Sequence, residues 1–524
     1  MATSQPLAVA AGLEILARGG NAADAAVATA AALNVTEPTS TGIGGDCFAL
    51  FYDSRTKQVS ALNGSGRAPA ALTFARVKKD LGMDRLSSLP PFHAHTITVP
   101  GACAGWCDLV ERHGSLSMTE VLAPAIRLAE AGFPVAPITA YFWQRGAEAQ
   151  LKTALNGREL TVDGRAPEAG EIFRNPNLAR TFRKVAESGK KIFYEGEIAE
   201  AIASIIQQAG GCMTVGDLAA HRSTWEIPVS TAYQGLRLWE CPPNGQGITA
   251  LIVLNILEGF DLPADPLSAD RLHLEIEALR LAFADTRWYV ADPSVVHVPV
   301  EELLSKEYAD RRRKKIDPRR ATLDQGRGAP VSGSDTAYLS AVDRAGNACS
   351  FINSNYLGFG TGIVPSGCGF TLQNRGHNFS LDPDHPNALA PGKRPYHTII
   401  PAMITSDPSQ SLFASFGVMG AFMQPQGHVQ VFLALADGLS PQSALDLPRF
   451  CITDGTAGGQ VALEEGIPEK TIADVVERGH EVRRVGGYER ALFGRGQVIL
   501  RDEQTGILTG GSDPRADGCA MTLI

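Results

Sequence analysis

No stretch of this chain is apolar for long enough to cross a bilayer. The run Ala22 to Leu33 is short and dominated by alanine, whereas a spanning helix needs about 20 consecutive apolar residues. The opening Met1-Ala-Thr-Ser-Gln-Pro6 carries no apolar signal segment, so the chain is expected to be cytoplasmic. Excess positive charge is missing too. The 47 Lys and Arg residues are outnumbered by 56 Asp and Glu, for a net charge of −9 and a pI of about 5.7. That balance excludes a nucleic-acid or anionic-membrane surface as the expected partner. The one basic cluster, Arg311 to Lys315 with Arg319 and Arg320, reads as a solvated helix end. Nine cysteines are an odd, scattered set and build no disulfide framework. Cys103 and Cys107, four apart, are expected to pack inside a helix. No His or Cys spacing matches a metal site. There is no His-Glu-x-x-His, no phosphate loop, no Gly-x-Ser-x-Gly and no solenoid repeat. No metal and no cofactor are therefore expected.

What remains is ordinary globular material, 44% hydrophobic and 20% charged over 524 residues. Leu7 to Arg18 has helical period and stops at Gly19-Gly20. Asn21 is placed to cap a second helix, Ala22 to Asn34, whose alanines suit close packing. Thr41-Gly-Ile-Gly-Gly-Asp46 precedes two strands, Cys47 to Tyr52 and Gln58 to Leu62. Its glycines let backbone come close to something. Helices dominate from Gly101 to Asp317, with a capping box at Ser117 to Glu120 and strand-like alternation over Ser230 to Glu240. His93 and His95 alternate in a Pro-rich passage and are taken as structural. Further strands are expected over Ile399 to Thr405 and Ser411 to Phe416, then a helix from Gln426 to Ala436.

The chain is organised around Ser332 to Pro365. Gly326 to Asp335, rich in Gly, Ser and Pro, reads as an exposed loop. A strand follows in which Tyr338, Ser340 and Val342 alternate with Ala337, Leu339 and Ala341, so its two faces differ. Asp343 to Asn347 is a turn with Gly346 free to take positive φ, and Ala348 to Asn353 returns as a second strand. A Thr at the head of such a hairpin, behind a cleavable loop, has the layout of an N-terminal nucleophile. A threonine hydroxyl needs an adjacent base. Cutting the Asp335–Thr336 bond frees an α-amine that titrates near pH ~8 on the same residue. Thr336 then supplies nucleophile and base together. The plainer alternative is a surface hairpin whose Thr is merely a good strand former.

The segments Gly20-Asn-Ala-Ala-Asp24, Thr41-Gly-Ile-Gly-Gly, Arg67-Ala-Pro, Pro100-Gly-Ala, Thr361-Gly-Ile-Val, Lys393-Arg-Pro, Pro448-Arg-Phe and Ser512-Asp-Pro-Arg515 occur in that order. Together with the Thr336 hairpin they resemble the γ-glutamyltransferase family. The resemblance implies an α/β (α+β) fold, a four-layer α/β/β/α sandwich of the N-terminal nucleophile hydrolase type. It also implies a precursor cut into a large chain, 1–335, and a small chain, 336–524, that stay intertwined. Thr336 falls at the nucleophile's place and Ser354 at that of a supporting hydroxyl. Gly420 and Ala421 fall where backbone N–H groups hold the oxyanion. In the substrate pocket Arg67 is the nearest arginine to the family's carboxylate clamp, displaced by two residues, with Ser65 at the aligned place. His397 and Thr398 replace a serine pair, Asn378 an aspartate, Arg375 a glutamine and Tyr356 an asparagine. The site has thus lost a carboxylate and gained a cation. The segment between Ser380 and Lys393, the family's lid, is short.

The expected activity is cleavage of γ-glutamyl amides, glutathione by default, through an acyl-Thr intermediate resolved by water or by an amino-acid or peptide amine. The alternative is a related amidase, of the cephalosporin or glutaryl acylase kind, for acyl groups lacking the α-amine. A second class is an uncut, non-catalytic scaffold. Asp335 is an unusual neighbour for the cut, so slow or partial processing is expected.

Overall fold

The computed structural model describes residues 1–82, 88–322 and 335–523, Asp335 by its backbone alone. Of the loop expected from Gly326 to Asp335, residues 326–334 lie outside the described residues, and Asp335 itself opens a strand.

Alternation along the strand Asp335–Val342 fixes the architecture. Ala337, Leu339 and Ala341 point into a core shared with the buried helix Ala22–Thr36. Tyr338 and Val342 point the other way, into a core shared with Ile399, Met403, Leu412, Met419 and Ile499. The strand is therefore covered on both faces, by helices on one side and by a second sheet on the other. Outside that second sheet a third core gathers the helices Ile248–Leu257, Ala269–Tyr289 and Met423–Ala436. The layers run α/β/β/α, as expected.

The first sheet has seven strands in the order Cys519–Ala520, Ala2–Thr3, Asp335–Val342, Ala348–Tyr356, Asp46–Asp53, Gln58–Gly64, Thr224–Glu226. The second has six, in the order Leu508–Ser512, Arg495–Arg501, Leu412–Met419, Ala402–Ser406, Leu236–Glu240, Val229–Tyr233. Every pairing within these two sheets is antiparallel. Residues before and after Thr336 interleave in both.

Local chemistry accounts for the details. Asn21 caps the helix Ala22–Thr36 in a reciprocal box with Asp24. All of that helix's residues are buried, which its small side chains permit. Gly346 takes φ +85° in the hairpin turn. Cys103 and Cys107 pack in the helix Ala102–His113. Among the boundaries that shift, two have a plain local cause. The strand expected from Ile399 begins only at Ala402, after Pro401, which has no N–H for a ladder. The helix expected from Gln426 starts at Met423 and holds Pro425 in its first turn, where the missing N–H costs nothing.

Candidate active site

The two sheets meet at the strand Asp335–Val342 through specific contacts. The Ser340 hydroxyl donates to Ser415 Oγ at 2.7 Å. A Cβ on Gly417 would lie 2.5 Å from the Tyr338 ring, so only glycine lets that ring settle there. These contacts pair 340 with 415 and 338 with 417. Continued by two residues, the progression brings Thr336 level with Met419, immediately before Gly420-Ala421.

Thr336 is fully buried, and its hydroxyl donates to Ser354 Oγ at 3.0 Å. A β-bulge creates that contact. Asn353 pairs with Ala337 and Tyr356 with Asp335, so Ser354 and Asn355 together oppose Thr336. Such an extra residue re-aims side chains. The bulge is backed by the Gly-rich turn, since a Cβ on Gly45 would lie 2.3 Å from the Ser354 carbonyl. That is the close approach the glycines were expected to allow. Tyr356, leaving the bulge, sits at φ +79°, a conformation costly for a bulky side chain. Its N–H donates to Ser354 Oγ at 2.8 Å.

Arg375 completes the cluster. Its Nη2 donates to Ser354 Oγ at 3.1 Å and its Nη1 to Thr398 Oγ1 at 2.6 Å. Its guanidinium lies 4.6 Å from the Tyr356 ring centroid, a cation–π stack. The residue is fully buried, and burial lowers its pKa to about 10 against the favourable field of Asp46. Among the described residues no carboxylate forms an ion pair with it, and its Nε has no acceptor. Asn378 stands on the same turn, half-buried, and its Nδ2 also lacks an acceptor.

His397 lies beneath. Ile399 N–H points at His397 Nδ1, so the ring proton sits on Nε2 and is donated to Asp46 Oδ2 at 3.0 Å. Burial, then the charges of Arg375 and Arg394, push His397 far below its usual pKa, and the ring is neutral. Burial raises Asp46 to about 6, opposed by Arg375 and by N–H donors from Gly101 and Gly66.

Gly420 takes φ +133° and Ala421 φ +47°, between the strand Leu412–Met419 and the helix Met423–Ala436. Among the described residues neither backbone N–H has an acceptor. The turn is tied down by Gln246, whose Nε2 donates to the Ala421 carbonyl at 2.8 Å and to the Thr398 carbonyl at 2.6 Å. Gly420 and Ala421 border a cleft of about 500 Å³ that Phe92, Phe142, Phe422 and Tyr488 also line.

The structure thus gathers Thr336, Ser354, Tyr356, Arg375 and Thr398, with His397 and Asn378 adjoining. Arg67 is engaged elsewhere. Its Nη1 pairs with Asp292 at 2.9 Å and also reaches the Gly392 carbonyl. Asp46 and Gln246 were not singled out from the sequence. Asp46 closes the Gly-rich turn and Gln246 lies in the Pro- and Gly-rich loop after Glu240, and neither context announces a buried hydrogen-bonding role. The segment between Ser380 and Lys393 packs Leu381 and Leu389 against Leu72 and Phe379. Among the described residues no helix is long and apolar enough to cross a membrane.

Four α/β/β/α layers, with a hydroxyl residue near the start of an interior strand, define the class of N-terminal nucleophile hydrolases. Within that class the chain belongs to the γ-glutamyltranspeptidase family: the sequence model described as "Gamma-glutamyltranspeptidase" matches residues 8–523. It is 38% identical to the "Glutathione hydrolase-like YwrD proenzyme" of Bacillus subtilis, over 99% of this chain and 97% of that one. It is 34% identical to the "Oxamate amidohydrolase proenzyme" of Klebsiella pneumoniae, over 98% and 96% of the two chains. Among solved structures, the cephalosporin acylase from Bacillus halodurans is similar at a TM-score of 0.91 and 47% identity, over 99% of this chain and 94% of that one. The protein is an enzyme of this family.

Proposed function

We propose that this enzyme cuts itself before Thr336 and then hydrolyses amides whose acyl group carries a carboxylate but no α-ammonium. The observation that carries the substrate half is the pair of unpartnered donors, Arg375 Nε and Asn378 Nδ2, on one turn beside the nucleophile. A buried donor without an acceptor costs about 1–3 kcal/mol, more when charged. An acyl carboxylate would satisfy the Arg375 guanidinium, and no carboxylate of the gathered cluster stands ready for an ammonium. The spacing fits a short acyl chain, because Thr336 Oγ1 and Arg375 Nη2 are separated only by the 3.0 and 3.1 Å legs to the shared Ser354 hydroxyl.

In the mechanism this supports, the freed Thr336 amine accepts the hydroxyl proton while Oγ1 attacks the acyl carbon. The Gly420 and Ala421 N–H groups hold the oxyanion. The amine proton passes to the departing amine, and water or an acceptor amine then opens the ester. Before the cut that amine is still the scissile amide, so Oγ1 attacks the Asp335 carbonyl, the Asp335–Thr336 C–N bond breaks with the hydroxyl proton passing to the departing Thr336 nitrogen, and water then opens the ester. Partners are small amides and an acceptor, with no nucleic acid.

A γ-glutamyl donor remains the second reading, since its α-carboxylate would also satisfy Arg375. Comparing γ-glutamyl- and glutaryl-p-nitroanilide separates the two. The glutaryl compound is expected to show the higher kcat/KM, and a clear preference for γ-glutamyl would sink the proposal.

A further inference from the structure

We propose that His273, Glu277 and His480 form a binding site for a transition-metal ion such as Zn²⁺, at the root of the segment leading to the scission point. His273 and Glu277 are four apart on the helix Ala269–Tyr289 and so share a face. His480 comes from the turn after the helix Glu469–Glu477. All three are buried, and one ligand atom from each lies within 4.8 Å of the other two.

The surroundings prepare the lone pairs. His273 Nε2–H donates to the Asp317 carbonyl at 2.8 Å, which leaves Nδ1 as the acceptor. Metal-binding imidazoles are oriented by the same kind of second bond. His273 Nδ1 faces His480 Nε2 at 2.8 Å, so without a metal His480 donates its Nε2 proton there. His480 Nδ1 then has no partner. Moving that proton to Nδ1 frees Nε2 as a second ligand without changing the charge. Burial keeps both rings neutral, with His480 lowered to about 3. Glu277 accepts from the Thr322 N–H at 2.9 Å through Oε2, and its Oε1 is buried without a hydrogen-bond partner.

Two imidazoles and one carboxylate suit zinc or cobalt and not magnesium or calcium, which prefer all-oxygen sites. Zinc–nitrogen bonds of about 2.0–2.1 Å in tetrahedral geometry ask the two rings to part by roughly half an ångström. Arg280 Nε lies 3.7 Å from Glu277. Its charge opposes the ion and makes the expected affinity weaker than in structural zinc sites. The same residues already hold residues 317–322 through Asp317 and Thr322, and Ala321 N–H donates to the Arg478 carbonyl at 2.7 Å. A bound ion would clamp that segment to the helix.

The test titrates Co²⁺ into the chelator-treated full-length protein and follows the visible bands of tetrahedral Co²⁺. One saturating equivalent is expected in the wild type and in the exposed-histidine variant His297→Gln, and none in Glu277→Gln or His480→Gln. Zn²⁺ should also raise the wild-type melting temperature by several degrees and compete the cobalt bands away. Absent bands, or bands that persist in both variants, overturn the proposal. If neither variant folds, the wild-type melt decides: no Zn²⁺-dependent rise overturns it as well.

Discussion

Arg375 is a buried positive charge that meets two hydroxyls and a ring and no carboxylate. Truncating a buried charge that reads a charged ligand costs about 2–5 kcal/mol. Arg375→Gln is therefore expected to lower kcat/KM for a glutaryl amide by at least about 30-fold, and much less for an amide with a neutral acyl group. Steady-state kinetics on the two compounds checks this. Asp46 tunes the same charge. Its folded pKa of about 6 lies above the usual ~3.9. The stability it contributes is therefore whole below pH ~4 and lost as the pH rises through 6. On going from pH 7 to pH 5 it takes up a proton and Arg375 loses that counter-charge. KM for a carboxylate-bearing donor should fall by roughly threefold to thirtyfold over that range, with little change for a neutral one. Asp46→Asn should flatten the profile.

At the scale of elements, the bulge at Ser354 and the turn behind it act as one device. The carbonyl of Ser354 sits where a Cβ on Gly45 would be. Gly45→Ala must push the bulge toward Thr336 or break the turn. Overpacking of this kind costs about 1–3 kcal/mol, and here it falls on the hydroxyl that touches Thr336. The variant is expected to fold with a melting temperature lowered by a few degrees and to lose most of its p-nitroanilide turnover; unchanged turnover would separate the bulge from the chemistry. The hairpin itself was legible in the sequence, because alternation from Ala337 to Val342 and the turn at Gly346 are local signals. The bulge was not, since it arises from the register of two strands against each other. Arg67 illustrates the same limit. The resemblance placed it near the family's carboxylate clamp, yet it pairs with Asp292, which lies far along the chain, and no local pattern connects the two. Gln246 joins Thr398 to Ala421 across similar distances. The layers were legible through the family resemblance and the strand pattern, while the hydrogen-bond geometry of the site was not.

For the whole molecule, the interleaved order of the strands governs what a cut would do. Asp335–Val342 lies between Ala2–Thr3 and Ala348–Tyr356, and Ala402–Ser406 lies against Leu236–Glu240. Fragments 1–335 and 336–524 are expected to run as two bands in denaturing electrophoresis and as one species in native gel filtration. Thr336→Ala should remain a single 55.6 kDa chain. Fully active wild-type protein in one unbroken band would end the nucleophile assignment.

The same weave would carry a cost for a cut protein. Before scission, a melted molecule can find its way back alone, because every partner strand travels on the same string. Afterwards two separate pieces must meet again in the right order, and recovery becomes a question of concentration and of competition with clumping. Dilute, cut enzyme that is unfolded and returned to buffer should regain little activity, whereas the uncut Thr336→Ala chain should recover its native compactness under the same conditions.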